Sequence, residues 1–239
     1  AAEELERNEV GIRTGVSATS IEGAERATGV TLDSGETIPA DLVLMSVGVR
    51  PNTEFAEAAG IELGDRNAIR VDRYLNTNDP SVFAAGDCAT AYHSVLQRDL
   101  HVPLALGANR QGRLVGENIA AILSGKPLDI FPGILGSAVI KIFDGEVAKT
   151  GIGQLEVERY GLKEVDSVSI TSHTLAGYYP GGGPLHVKLY FHSGSKKLLG
   201  GQLFGSGRSV LRIDVLAAAI RAGMSLRDLY ELDLAYAPP

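Results

Sequence analysis

The sequence predicts an α/β segment joined to an α+β unit, from two patterns. Between residues 49 and 125, short apolar runs ending on Gly or Asp lead into a helical repeat. Leu114, Val115, Ile119, Ile122 and Leu123 share one spacing there, with Asn109, Arg110 and Glu117 on the polar side. After residue 130 the pattern turns to strand alternation. Val187, Leu189 and Phe191 interleave with His186, Lys188, Tyr190 and His192, and an Ala-rich helix follows over 209–222. The chain divides accordingly into residues 1–48, 49–125 and 130–239.

The first section opens on a polar helical lead-in. Val30 and Leu32 then alternate with Thr31 and Asp33 as a strand, and Asp33-Ser34-Gly35 reads as a turn. Leu42-Val43-Leu44-Met45 is a continuous apolar run of buried-strand type. In the second section Ile69-Arg70-Val71 and Val82-Phe83-Ala84-Ala85 are expected strands. The helix over about 107–123 is closed by Ser124-Gly125 and Pro127. In the third, Ala138, Ile140 and Ile142 alternate up to an Asp144-Gly145 turn, 154–160 is a short helix and 168–170 a strand. Met224-Ser225-Leu226 starts a last helix with Ser225 as N-cap and Asp228 in the first turn.

Composition narrows the function classes. With 22 Lys and Arg against 29 Asp and Glu, the net charge of −7 disfavours a nucleic-acid or anionic membrane surface. No apolar stretch is long enough to span a bilayer, and no secretory signal heads the chain. A single cysteine excludes an internal disulfide framework and a CxxC pair, and a reducing cytoplasm is the expected setting. The unheaded start AAEELERNEVGIRTG and the ending LDLAYAPP suggest a piece of a longer protein.

Residues 77–87, TNDPSVFAAGD, pose the first chemical question: an apolar run stops at Gly86-Asp87. In open α/β sheets ligands bind beyond the carboxyl ends of strands. A glycine there admits a ligand to the backbone, and an ionised Asp, which only accepts hydrogen bonds, suits a polyol hydroxyl. A turn Asp capping the next segment is the alternative on local pattern. Pro103 to Gly112 supplies a helix start, whose free N–H groups and partial positive charge attract negative charge. A plain packed helix start is the alternative.

Taken whole, Thr77, Val82, Phe83, Ala84, Gly86 and Asp87 resemble the second flavin motif of the two-dinucleotide-domain flavoprotein disulfide reductases. Val47-Gly48-Val49-Arg50-Pro51-Asn52 resembles that family's link from the NAD(P) domain back to the FAD domain, and it lies upstream in the family's order. Gly177-Tyr178-Tyr179-Pro180-Gly181 and Ala235-Tyr236-Ala237-Pro238-Pro239 resemble the coenzyme A-disulfide reductase and NADH oxidase subgroup, related persulfide reductases included.

The resemblance implies the end of an NAD(P)-binding domain over 1–48, the second segment of an FAD-binding domain over 49–125 and a C-terminal α+β dimerisation domain over 130–239. It implies FAD and NAD(P)H as cofactors and a homodimer as the assembly. The acceptor would be coenzyme A disulfide, a related disulfide or persulfide, or oxygen. Asp87, with Gly86, would hold a ribitol hydroxyl. The helix start at Ala105, Ala108 and Asn109 would face the isoalloxazine ring, and Gly48 would lie in the interdomain link. Tyr178, taken from the Tyr178–Tyr179 pair, and Tyr236 would reach the partner's active site as phenol donors to a departing thiolate.

Cys88 reads as a small packed filler, since the family's redox cysteine lies near the N-terminus in a segment these residues do not match. The 239 residues alone are therefore expected to be inactive, and a non-catalytic dimerisation module is the alternative reading. Gly205-Ser206-Gly207 has Val210 in place of a third glycine and reads as a helix entry. Gly181-Gly182-Gly183 lacks the Lys of a phosphate loop. His186 and His192 flank Lys188 on a wet strand face, and no metal site is expected.

Overall fold

A computed structural model describes residues 2–235, which fall into two compact units, Ala2–Val49 and the residues from Arg50 onward. The first unit holds helix α1 (Ala2–Arg7) and an antiparallel meander in the order β1 (Ala18–Glu22), β2 (Gly29–Leu32), β3 (Thr37–Pro39). Ile21 faces Val30, which in turn faces Ile38. The Asp33–Gly35 turn closes by Gly35 N–H donating to Leu32 O at 3.0 Å. The expected strand at 42–45 does not form: Leu42, Leu44 and Met45 are 86, 85 and 71% exposed. A continuous apolar run makes a strand only between neighbours on both sides, and the meander of this unit supplies none.

The second unit begins with α2 (Glu54–Ala58). A hairpin of β4 (Ala91–His93) and β5 (Arg98–Leu100) follows, and then the long α3 (Ala105–Leu123). Ile69, Val71 and Ala84 are buried, as their apolar runs predicted. The runs 69–71 and 82–85 nevertheless form only isolated bridges, Ile69 to Leu63 and Ala89, and Phe83 to Asn76. No continuous neighbouring strand lies beside them among the described residues. Helix α3 starts two residues before the expected 107. Its buried stripe is Gly107, Gln111, Leu114 and Asn118, at the spacing of one helix face.

The remaining elements build one five-stranded antiparallel sheet in the order β6 (Ala138–Ile142), β7 (Gly145–Gly151), β10 (Leu198–Gly205), β9 (Pro184–His192), β8 (Val165–His173). Helix α4 (Gln154–Tyr160) follows β7 and matches its expected span. The expected 209–222 helix is split into a 3-10 turn, Ser209–Arg212, and α5 (Ile213–Arg221). Leu216, Ile213 and Ala219 of α5 bury one sheet face with Leu203, Leu185 and Ala148. Helix α6 (Leu226–Tyr230) is capped as predicted, with Ser225 Oγ accepting from Asp228 N–H at 3.2 Å.

A second core lies under α3, where Leu114 meets Leu75, Ile69 and Phe131. Arg221 links the two cores. Its guanidinium donates to Ser94 Oγ at 3.0 Å, Pro132 O at 2.8 Å and Gly133 O at 2.7 Å. Asn118, 1% exposed, holds the chain after α3 by donating to Tyr74 O and Asp129 O and accepting from Asp129 N–H at 2.9 Å.

Candidate functional site

The stretch before Gly86 is a self-capped turn. Thr77 N–H donates to Val82 O at 3.0 Å, Thr77 Oγ1 accepts from Asp79 N–H at 3.1 Å, and Asp79 Oδ1 accepts from Ser81 N–H at 2.8 Å. Thr77 and Asp79 thus shape the loop. At its end Gly86 takes φ +86°, a conformation that favours glycine, and a Cβ there would lie 3.6 Å from that of Ala108 on α3.

The turn is bolted to α3 from below. Gly86 N–H donates to Gln111 Oε1 at 2.9 Å, and Gln111 Nε2 donates to Thr90 O at 2.9 Å. His101 holds it from the side: its Nε2 lies 2.8 Å from Asp87 O, while its own N–H donates to Asp65 Oδ2 at 2.9 Å. The Asp87 carboxylate is left exposed and makes no hydrogen bond or ion pair among the described residues.

Helix α3, which Gly86 approaches at Ala108, starts without a side-chain cap, Leu104 being extended at its N-cap. The first backbone bond into the helix is Ala108 N–H to Leu104 O at 3.0 Å, so the N–H groups of Ala105, Leu106 and Gly107 have no acceptor among the described residues. Gly86 meets the first turn of α3 at Ala108, with Asp87 next to it in the chain and Ala105 and Asn109 on the same helix start. Asn109 is exposed, and its Oδ1 accepts from Arg113 Nη2 at 3.1 Å. A bare carboxylate, a glycine approach and free helix N–H groups fit a ligand that carries both hydroxyls and negative charge.

The other expected residues lie apart from these groups. Gly48, with φ +95° and open space where a Cβ would be, belongs to the unit ending at Val49. Tyr178 is 73% exposed between β8 and β9, and its ring meets that of Tyr179 edge-on at 6.3 Å. Tyr236 lies outside the described residues. Cys88 packs half-buried against the core below Gly86, its Sγ 3.5 Å from Ala85 O.

Sequence reasoning missed Gln111 and His101. The signal for Gln111 was present: a polar residue sits in line with Leu114 and Asn118 on the buried stripe, where burial demands hydrogen-bond partners. His101 left no such trace, because its partners lie 14 and 36 residues away in the chain.

Residues 1–112 match the sequence profile described as pyridine nucleotide-disulphide oxidoreductase, and residues 137–239 match that family's dimerisation domain. The chain belongs to the pyridine nucleotide-disulphide oxidoreductase family. An FAD/NAD(P)-binding fold with a C-terminal α+β dimerisation domain, the class expected from the sequence, is consistent with both profiles and with the sheets described above. Within this family the chain is 39% identical over 237 residues to an NAD(P)H coenzyme A polysulfide/persulfide reductase of Pyrococcus horikoshii. It is 34% identical over 237 residues to a coenzyme A disulfide reductase of Staphylococcus epidermidis. Each alignment takes in 99% of this chain and 52% of the relative. The solved NAD-dependent persulfide reductase from A. fulgidus superposes with a TM-score of 0.91 at 36% identity, over 99% of this chain and 43% of that one. The chain thus spans about half the length of the curated relatives it matches. Among the described residues no helix is long and apolar enough to cross a membrane.

The hairpin beside the site carries a pH-sensitive group. His93 is buried, and its Nδ1 accepts from Leu96 N–H at 3.2 Å. Burial pushes its pKa down, Lys149 adds to the effect, and Glu156 opposes it. The unfolded chain then takes up a proton, near the ordinary value of about 6.5, that the folded one refuses. Stability is expected to be full above that pH and to fall as the pH drops below it. His93→Gln should flatten urea-unfolding free energy between roughly pH 6.5 and 5; an unchanged slope would show that other groups set it.

Proposed function

We propose that this chain contributes the second flavin-contacting segment and the dimerisation domain of an FAD-dependent NAD(P)H oxidoreductase acting on coenzyme A disulfide, a related disulfide or persulfide, or oxygen. The exposed, unpartnered Asp87 carboxylate, next in the chain to Gly86 where it meets the uncapped start of α3, carries this reading. Identity of 39% and 34% to relatives whose names specify coenzyme A persulfide and disulfide reduction supports the substrate class.

In this reading residues 1–48 end the NAD(P) domain, 49–125 belong to the FAD domain, and 130–239 form the dimer interface. Asp87 accepts hydrogen bonds from the flavin's polyol, and Gly86 leaves room for it. The start of α3, at Ala105, Ala108 and Asn109, faces the ring and favours negative charge there. FAD, when bound, supplies the acceptor for the nicotinamide's hydride. Tyr178 and Tyr236 offer phenols across a two-fold homodimer, where each can donate a proton to a departing thiolate. Gly48 lies in the link between the two nucleotide domains.

A second reading, a dimerisation module without turnover of its own, is favoured by Cys88. Exchange with a disulfide needs an accessible thiolate, and this chain's one cysteine is packed against a core.

The visible absorption spectrum of the purified chain tests the first reading. Flavin bands are expected. Asp87→Ala should lower flavin retained per chain by about tenfold or more, the worth of a charge-assisted hydrogen bond. Equal flavin in the variant would remove Asp87 from the site. A colourless protein without NADH-dependent disulfide reduction would leave the dimerisation module.

A further inference from the structure

The five-stranded sheet has one face covered by α5; on the other, α4 begins beside Lys149 and Gln202 and Tyr190 is buried, while the part toward Ile140, Phe204 and His186 is open, and two rows of side chains there differ in chemistry. Cross-strand pairing puts Ile140 opposite Val147, Val147 opposite Phe204, Phe204 opposite His186, and His186 opposite Thr171. That row is apolar and aromatic for most of its length. The Phe204 and His186 rings stack at 6.0 Å with a 28° interplanar angle, and Thr171 Oγ1 lies 3.0 Å from His186 Nδ1. Two residues along each strand, about 7 Å away, the next row runs Ala138, Lys149, Gln202, Lys188, Ser169 by the same pairings. It is cationic.

These two rows floor a concave groove of about 560 Å3, within the size range of small-molecule sites. No Asp or Glu lines it, in a chain with 29 acidic residues and a net charge of −7. Lys149 is already paired with Glu156 at 3.1 Å. Lys188 has no carboxylate partner among the described residues; its ammonium sits 5.2 Å from the ring centre of Tyr190 on its own strand. A flat apolar strip beside an unneutralised ammonium selects a flat molecule with one anionic edge.

We propose that the open sheet face binds a small planar organic anion, an aromatic carboxylate in its simplest form. The ring system lies along the Ile140–Phe204–His186 row, and the carboxylate meets Lys188. The site stands on the side of the sheet opposite α5 and shares no residue with the Gly86–Asp87 corner, so it is independent of the flavin reading.

1-Naphthoate and its neutral isostere 1-naphthamide are the probes, titrated calorimetrically into the intact chain. Saturable binding of 1-naphthoate is expected, with 1-naphthamide about tenfold weaker. Lys188→Glu and the milder Lys188→Gln should each weaken 1-naphthoate by about tenfold or more and leave 1-naphthamide unchanged. Backbone amide shifts on titration should centre on residues 186–188 and 204. Absence of saturable binding, equal affinity for the two probes, or indifference of 1-naphthoate to both Lys188 variants would overturn the proposal. So would a second copy on this face, seen as a dimer that excludes the probe and dissociates in Lys188→Glu.

Discussion

Gln111→Ala is expected to destabilise the chain by roughly 2–5 kcal/mol and to loosen the Gly86–Asp87 turn. Gln111 is 2% exposed and occupies two backbone groups at once, Gly86 N–H and Thr90 O. Removing its amide leaves the part-buried Gly86 N–H and the buried Thr90 O without that partner, and each buried orphan costs about 1–3 kcal/mol. The loss is large against a total stability of about 5–15 kcal/mol. Gln111→Leu separates lost hydrogen bonds from lost volume, since it refills the space without serving either backbone group. Urea unfolding should place both variants well below the parent, with the Leu variant regaining only part of the deficit. Parental stability in Gln111→Leu would show that packing alone matters at this position. If the turn positions Asp87 for flavin, both variants should also lose flavin; normal retention would show that the turn holds its shape without Gln111.

Gly200→Ala is expected to be among the most damaging small substitutions in the sheet. A Cβ at Gly200 would stand 1.9 Å from Ile152 O and 2.6 Å from Ile152 N. Those are backbone atoms, so no side-chain rotation relieves the clash. The strand opposite is just as tight: a Cβ on Gly151, paired with Gly200, would lie 2.2 Å from Leu199 O, and Gly151 has φ +65°. Overpacking of yielding cores costs about 1–3 kcal/mol, and this site cannot yield. At least about 3 kcal/mol follows, or a melting temperature lower by roughly 6 °C or more. Gly201→Ala is the control. Its Cβ would lie 2.6 Å from Leu216 Cδ1, a methyl at the end of a side chain that can turn away. Thermal melts should rank Gly200→Ala clearly below Gly201→Ala; the reverse order would mean that β7 and β10 separate more easily than their backbone contact implies.

What the sequence by itself determined about this protein is local. The Asp33–Gly35 turn, the span of α4 and the cap of α6 by Ser225 and Asp228 are set by residues a few positions apart, whereas Tyr190, expected on the wet face of β9, is 1% exposed. Their signals survive in a linear reading because each element carries its own hydrogen bonds or its own buried face. The motif ending at Asp87 was legible in the same way, as spacing within one run. Tertiary structure alone decided which apolar runs become strands. Residues 42–45 and 82–85 have the composition of strands but form no ladder, because a strand needs a partner that its own sequence cannot supply. The β4–β5 hairpin gave no such pattern and forms all the same. The ties that shape the site are also long-range: His101 to Asp87 and Asp65, Gln111 to Gly86 and Thr90. Each joins residues 14 to 36 positions apart. Burial turns these pairings from optional to obligatory, since a buried polar group without a partner costs more than a satisfied one returns.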